Sequence, residues 1–346
     1  MGVGGGETAA AAPRRWVGPL FAVLGVLGFS FKAILIKLAY AWHPVDAPTL
    51  LALRMLFSAP FFVAMAWWAT RSASRPIARR DWIAIVWLGF IGYYLASLLD
   101  FMGLQHITAA LERLVLFLYP TMVVLLSAAW RKQAVTRRAI AALLLSYAGI
   151  VLVFAHDLRA GGDPAALWTG GALVFGSAFF YALYLVSAGG VIARIGSARF
   201  ISWAMLASTA FVLAQFLLTR PVAALAVPAS IHAISLAMAV FSTVLPTWLV
   251  AEAIRRIGAN ASSLVGSMGP VFTIGLGATI LGEPVHAIQL AGAALVLVGV
   301  TLVTLRPKPA VSAGFPATTA GATPSPSRRS AAAPSRRCCR TDGRDR

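Results

Sequence analysis

The stretch Ile107–Pro120, ITAALERLVLFLYP, recurs 150 residues later as Ile257–Pro270, IGANASSLVGSMGP. The two stretches share Ile, Ala, Leu, Val and Pro at equivalent places, and the match continues beyond them. The later matches are Leu126 with Leu276, Ala128 with Ala278, Gly149 with Gly299 and Leu152 with Leu302. Each copy is a pair of long apolar segments with a proline near the middle of the first. The sequence therefore predicts duplicated membrane helices.

The composition agrees with a membrane environment. Of the 346 residues, 59% are hydrophobic and 12% charged, and the charged fraction is about half that of soluble proteins. Apolar runs of about 20 residues cross the hydrocarbon core as helices. Ten such runs are predicted: Trp16–Tyr40, Pro48–Ala69, Trp82–Leu104, Thr108–Ala129, Arg138–Ala155, Trp168–Ala188, Ile201–Leu218, Ile231–Ala251, Asn260–Leu281 and Pro284–Leu305. The first run is too long for a signal peptide and is interpreted as the first span.

Basic residues between the runs predict the orientation, because Lys- and Arg-rich loops stay cytoplasmic. One side carries Arg14, Arg15, Arg71, Arg75, Arg79, Arg80, Arg131, Lys132, Arg137, Arg138, Arg194, Arg199, Arg255, Arg256, Arg306 and Lys308, and the other only Arg159 and Arg220. Both termini are therefore expected in the cytoplasm, as an even number of spans requires. With five spans per copy, the second copy enters the membrane from the opposite side, so the repeat is inverted.

These observations predict an all-α integral membrane protein of ten transmembrane helices in two inverted five-helix repeats. The first repeat is expected over residues 16–156 and the second over 168–305, between disordered segments 1–15 and 306–346. The net charge of +18 lies in loops and in the basic tail, which argues against a nucleic-acid partner. The tail either attracts anionic lipid headgroups or is a dispensable extension. Its Cys338 and Cys339 predict neither a disulfide framework nor a metal site.

Apart from residues near span ends, such as Lys37, whose stem can reach the interface, five charged residues lie inside predicted spans. All are in the first copy: Lys32, Arg54, Asp100, Glu112 and Arg113. A charge at the bilayer centre costs about 3 kcal/mol on insertion scales, so such residues usually face a bundle interior or a water-filled cavity. Three positive charges against two negative ones favour a bound anion. The alternative is mutual neutralisation, Asp100 with Arg113 or Lys32 and Glu112 with Arg54. Protonation of Asp100 or Glu112 in a transport cycle is a further alternative.

Polar and aromatic residues extend this candidate site. Tyr93, Ser97 and Asp100 follow i, i+4, i+7 spacing and should share a helix face. The second copy offers amide and hydroxyl groups instead, at Asn260, Ser263 and Ser267. Pro120 and Pro270 should interrupt their helices and free backbone carbonyls. The tyrosines, among them Tyr93, Tyr94 and Tyr119, either line a cavity or pack the interior.

A family resemblance rests on Pro270-Val271-Phe272 through Leu281-Gly282-Glu283-Pro284, and on Ala109–Arg113 leading into Leu118-Tyr119-Pro120-Thr121. These motifs resemble an EamA-like domain of the drug/metabolite transporter superfamily, over roughly residues 18 to 305. The Gly282-Glu283 pair is replaced by Lys132-Gln133 in the first copy. Glu283 is therefore expected to cap the connection before the tenth span rather than to serve both halves.

The resemblance implies a secondary carrier of the inner (plasma) membrane whose third, fourth, eighth and ninth spans surround a central cavity. Members of that family move amino acids, metabolites, nucleotide precursors or toxic compounds, frequently outward. Together with the charge count, the tyrosines and the inverted repeat, this predicts export of small metabolites such as amino acids, organic anions or amphipathic compounds by alternating access. Site residues are expected at Lys32, Arg54, Tyr93, Tyr94, Ser97, Asp100, Glu112, Arg113, Tyr119, Asn260 and Ser263, with Pro120 and Pro270 as helix-kink or gating positions.

No enzyme, cofactor or metal motif is found: the chain lacks a P-loop, a His-Glu-x-x-His motif and a Gly-x-Ser-x-Gly elbow. The expected partners are a small-molecule solute and the lipid bilayer, with proton or counter-substrate coupling as an open alternative. A non-transporting sensor or assembly subunit is the other functional alternative, and a membrane enzyme is a more distant one.

Overall fold

The computed structural model describes residues 16–304 except 74, 131, 133 and 160–162, and it leaves out the side chains of 259, 260, 263, 264, 303 and 304. The expected disordered segments 1–15 and 306–346 lie outside the described residues. The described part of the chain is helical and contains no β-strand. The prediction of an all-α membrane protein is thereby confirmed at the level of fold class.

The helices follow one another as α1 (Val17–Trp42), α2 (Ala47–Arg71), α3 (Arg79–Gly103), α4 (Ala109–Trp130), α5 (Arg137–Arg159), α6 (Pro164–Ile195), α7 (Ser197–Thr219), α8 (Ala229–Gly258), α9 (259–281) and α10 (Ala287–Thr304). A short 3₁₀ turn, Val222–Leu225, precedes α8. Within the described residues, eight helices, α1 to α8, are long and apolar enough to cross a membrane. Gly269–Leu281 and Ala287–Leu302 are shorter apolar helices, whereas the sequence predicts full spans there.

The helices are interrupted at equivalent positions of the two copies. In α4 the helix stops at Leu116 and resumes at Tyr119, and in α9 it stops at Gly266 and resumes at Gly269. Both breaks lie just before a proline, whose missing N–H and fixed φ suit the first turn of the resumed helix. The expected interruptions at Pro120 and Pro270 are therefore present, displaced to the residues preceding each proline.

The same offset of 150 residues relates two widened helical turns. A π-helical turn occupies Phe90–Leu95 in α3, and another occupies Val240–Val244 in α8. Such turns insert an extra residue, so side chains on either side of them point in different directions than regular helical spacing predicts. The sequence periodicity does not reveal either turn.

Helices of one copy pack against helices of the other. Such pairs include α1 with α8, α2 with α7, α3 with α6, α4 with α6 and α5 with α10. The α5–α10 contact is close at two equivalent points: a Cβ on Gly149 would lie 2.6 Å from the carbonyl oxygen of Gly292, and a Cβ on Gly299 would lie 2.6 Å from that of Ala142. Since 149 pairs with 292 and 299 with 142, the 150-residue offset also relates the two halves of this interface.

Candidate functional site

A cluster of opposite charges lies where α1, α3 and α4 meet. The Lys32 ammonium donates to Asp100 Oδ2 at 2.6 Å, and Glu112 Oε1 is 3.8 Å from the same nitrogen. The Asp100 and Glu112 side chains are 2% and 0% exposed, and that of Lys32 is 19% exposed. One ammonium group therefore faces two buried carboxyl groups, and it is the most accessible member of the cluster.

The carboxyl groups retain free hydrogen-bonding capacity. Neither oxygen of Glu112 has a hydrogen-bond partner, and Asp100 Oδ1 has none either. A buried polar atom without a partner costs about 1–3 kcal/mol, and more for a charged group. Such groups in a native fold call for an explanation, and a bound ligand, ion or water supplies one.

Arg54 lies beside this cluster on α2. Its guanidinium donates to Ser97 Oγ at 3.3 Å and lies 5.0 Å from the centre of the Phe101 ring. The Arg54 side chain is buried, and its Nε has no hydrogen-bond partner. The alternative in which Glu112 pairs with Arg54 is not observed, because Lys32 on α1 is the ion-pair partner of both Asp100 and Glu112.

Arg113 links α4 to the break in α9. The Arg113 guanidinium lies against Gly269, where an added Cβ would be 2.8 Å from it. Ser30 on α1 donates to the Gly269 carbonyl at 3.1 Å, and the Arg113 Nε has no hydrogen-bond partner. Three helices thus converge on the backbone just before Pro270. Sequence reasoning overlooked Ser30, which sits two residues before Lys32 without a motif to mark it.

The expected polar stripe on α3 is divided among three neighbours. Asp100 faces α1 and Ser97 faces α2, whereas the Tyr93 hydroxyl bonds with that of Tyr184 on α6 at 2.9 Å. The π turn at Phe90–Leu95 separates Tyr93 from the others, because it changes the angle between successive side chains. The three side chains of the stripe thus contact three different helices.

Four tyrosines on three helices form a row of ring contacts. The Tyr119 ring lies 5.1 Å from that of Tyr181, which lies 5.7 Å from Tyr184, which lies 5.0 Å from Tyr93. The row crosses from α4 over α6 to α3. Tyr94 is not part of it, since its ring packs at 5.3 Å from Phe90 and 6.0 Å from Phe211. Tyr181 and Tyr184 are three residues apart on one face of α6, which is the sequence signal for this row.

The second copy places three of the predicted polar residues along α9. Asn260 and Ser263 lie in the helical first segment of α9, and their side chains fall outside the described residues. Ser267 lies at the break and has an interaction partner. Within the described residues, no group of three or more His, Cys, Asp or Glu side chains is arranged to hold a metal ion.

Glu283 bridges the two copies at the start of α4. Its Oε1 accepts a hydrogen bond from the Ala109 amide at 3.1 Å, beside the Thr108 side chain, which accepts from the Leu111 amide. A polar cavity of about 400 Å³ opens next to this contact, with Lys37 and His286 among its lining residues. Glu283 was expected to cap the connection before α10, but its carboxylate caps a helix of the other copy.

Comparisons with known proteins agree on one family. The EamA-like transporter family matches residues 16–155 and 168–305. The chain is 31% identical over 293 residues to the uncharacterized transporter YcbK of Bacillus subtilis (strain 168), covering 80% of this chain and 88% of that protein. It is 23% identical over 241 residues to the uncharacterized transporter YyaM of the same organism, covering 67% and 76%.

The fold also has a counterpart among solved structures. One crystal structure superimposes with a TM-score of 0.57 at 21% identity, covering 83% of this chain and 96% of that chain. This similarity concerns the fold alone. Because the family matches both halves and a relative above 30% identity covers four fifths of the sequence, the chain belongs to the EamA-like transporter family of the drug/metabolite transporter superfamily.

Proposed function

We propose that the protein is a secondary active transporter that exports small metabolites, such as amino acids, organic anions or amphipathic compounds, by alternating access. Membership in its family makes it a multi-pass membrane transporter and not an enzyme. The observation that carries the proposal is the buried cluster of Lys32, Asp100 and Glu112 within apolar helices. Intramembrane ionisable groups of this kind usually mark solute or ion pathways.

The scaffold that we propose has ten spans in two inverted five-helix repeats, 16–156 and 168–305, with both termini in the cytoplasm. The paired helix breaks before Pro120 and Pro270 support this arrangement, as do the reciprocal close contacts of α5 with α10. Alternating access then consists of one repeat moving against the other around a fixed site. The distribution of Lys and Arg among the loops supports this placement of both termini in the cytoplasm.

The solute chemistry that we propose follows from the groups left without partners. Arg54 and Arg113 each keep a buried Nε–H that donates no hydrogen bond, so both are placed to donate to an anionic group of the solute. Neither oxygen of Glu112 accepts a hydrogen bond, so this side chain is placed to bind an amino group or a proton. The site residues proposed from sequence thus divide into an anion-binding pair and an acidic partner. Tyr93, Tyr119, Tyr181 and Tyr184 offer ring faces to an apolar part of the solute.

The proposed coupling uses Glu112 and Asp100. When Glu112 is protonated, Lys32 has only the Asp100 carboxylate to neutralise, and the site has no spare negative charge. When both carboxylates are charged, one ammonium group neutralises only one of them, so a solute amine can bind the other. Protons and solute therefore compete for the same cluster, which is the condition for antiport. A counter-substrate binding there in place of the proton would produce the same exchange.

The experiment is solute flux in liposomes that contain the purified protein, after a thermal-shift screen with amino acids, organic acids and aromatic amines identifies a stabilising ligand. We expect Glu112→Gln to retain the fold, because Gln is isosteric and uncharged, but to lose the pH dependence of flux. Glu252→Gln, at an exposed Arg-paired site near the end of α8, is the matched control and should leave it unchanged.

Two results would contradict the proposal. Unchanged pH dependence in Glu112→Gln and Asp100→Asn together would exclude the coupling. Absence of flux for every stabilising ligand, in either direction, would favour the alternative of a non-transporting sensor or assembly subunit.

A further inference from the structure

An apolar groove of about 560 Å³ runs along the outer surface between α3 and α7. Its lining residues are Trp82, Ile83, Val86, Trp87, Phe90 and Phe211. Ile83 and Trp87 are 64% and 59% exposed, so the groove opens away from the helix bundle. No polar side chain lines it, and it is separate from the charged cluster around Lys32.

Ring contacts hold the groove open. Phe90 packs edge-on against Phe211 at 5.1 Å and stacks with Trp87 at 5.8 Å. At one end the Trp82 ring contacts Trp203 at 4.8 Å, and the Trp203 indole donates to Thr70 Oγ1 at 3.2 Å. Aromatic contacts in these geometries fix the side chains, so the groove is preformed.

The groove and the arginine at its mouth together span about one leaflet of a bilayer. The lining residues Trp82 to Phe90 extend about 12 Å along the axis of α3, and Arg79 lies about 16 Å from Phe90 at the helical rise. Half of the hydrocarbon core measures about 15 Å. A groove of this length can hold one acyl chain of a lipid in the adjacent leaflet.

The mouth of the groove is positively charged. Arg79 lies three, four and seven residues before Trp82, Ile83 and Val86, on the same helix face. Arg79 and Arg80 are exposed, and neither forms a salt bridge with any residue that the structure describes. The neighbouring Asp81 is already neutralised by Arg194 at 2.6 Å. The first turn of α3 has no side-chain cap, so its N–H groups add to this positive end.

We propose that this groove binds an anionic phospholipid, with an acyl chain along Trp82 to Phe211 and the phosphate at Arg79 and Arg80. A zwitterionic lipid supplies the same chain, but its own cationic group competes with the arginines for the phosphate. Charge at the mouth therefore decides which headgroup is retained, and each arginine near the membrane surface contributes to that preference.

Quenching of tryptophan fluorescence tests the proposal. The full-length protein is reconstituted in vesicles containing brominated phosphatidylglycerol or brominated phosphatidylcholine. The difference between the wild type and Trp87→Phe isolates the signal of the groove. We expect stronger quenching by phosphatidylglycerol, and a loss of about tenfold in this preference in Arg79→Gln/Arg80→Gln. Val86→Phe, which narrows the groove without adding a tryptophan, should reduce quenching by both lipids.

The matched control is Arg137→Gln/Arg138→Gln, an exposed arginine pair at the start of α5. It should leave the preference unchanged. Equal quenching by the two lipids in the wild type would overturn the proposal. An equal loss of preference in the control variant would overturn it too, because general surface charge would then account for the effect.

Discussion

At the scale of single residues, the centre of the molecule depends on one ammonium group that serves two carboxyl groups. Lys32 is 2.6 Å from Asp100 and 3.8 Å from Glu112, and both acidic side chains are almost wholly buried. Removing one partner of a buried ion pair costs about 3–5 kcal/mol, because the remaining charge has lost its compensation. The loss is largest when the shared partner is removed.

This arrangement makes Lys32→Met strongly destabilising, by about 3–5 kcal/mol, since it leaves two uncompensated carboxyl groups. Adding Asp100→Asn should recover part of the loss, so the two substitutions should be non-additive in a double-mutant cycle. Thermal unfolding of the purified protein in detergent measures both effects. Lys132→Met, on an exposed turn, is the control. Strict additivity, or a Lys32→Met protein as stable as the control, would contradict the shared-partner arrangement.

At the scale of helices, close backbone approach decides where the copies touch. Gly149 on α5 and Gly292 on α10 leave no room for a side chain, whereas a Cβ on Gly189 of α6 would meet nothing within 4 Å. Small residues at such contacts let membrane helices pack closely. Helix packing therefore requires glycine at 149 and 292 but not at 189.

We expect Gly149→Ala to destabilise the protein by about 1–3 kcal/mol, because the added methyl group overpacks the α5–α10 interface. Gly189→Ala should be neutral or stabilising by up to about 1 kcal/mol, as alanine is the better helix former. Comparison of the two unfolding midpoints in detergent is the measurement. Equal tolerance of both substitutions would mean that α5 and α10 do not depend on this contact.

At the scale of the whole molecule, polar contacts tie the two copies together beyond the helix packing. Asp46, which caps α2 through the Thr49 amide, also forms an ion pair with Arg220 at the end of α7. Burial by itself raises the pKa of Asp46, but the hydrogen bonds from Thr49 and Arg220 outweigh it, so the pKa lies below its ordinary value. The contact therefore stabilises the fold only while Asp46 is charged.

Because the folded-state pKa of Asp46 is lowered, its contribution is complete above the unfolded-state pKa, near 4, and is lost as the pH falls through the folded-state value. The effect should be below about 1 kcal/mol, since both side chains are partly exposed to screening solvent. Asp46→Asn keeps an N-cap oxygen and removes the charge. The wild type should exceed this variant in unfolding temperature at pH 7, and the difference should shrink as the pH falls below about 4 and vanish once the pH is below the folded-state pKa. A constant difference would exclude the ion pair as its cause.

Much of the fold follows from local chemistry. The apolar runs, the proline-associated breaks and the 150-residue period all result from properties of neighbouring residues, such as the missing N–H of Pro120 and Pro270. Hence the all-helical membrane fold and the family were predictable, and the five buried charges could be named. Their partners could not: Asp100 had two candidates, and the partner considered for Glu112 was Arg54, whereas the structure pairs Glu112 with Lys32.

The sequence by itself determined which segments are helical, where they break and which charged side chains must avoid lipid. Only the tertiary structure decided which of those charges meet, because that depends on the rotation of each helix against its neighbours. Packing brought the Tyr93 hydroxyl to that of Tyr184 on α6, and it brought Glu283 to the Ala109 amide, 174 residues away in the chain. Contacts of that range depend on the packing of the entire bundle, which no local periodicity specifies.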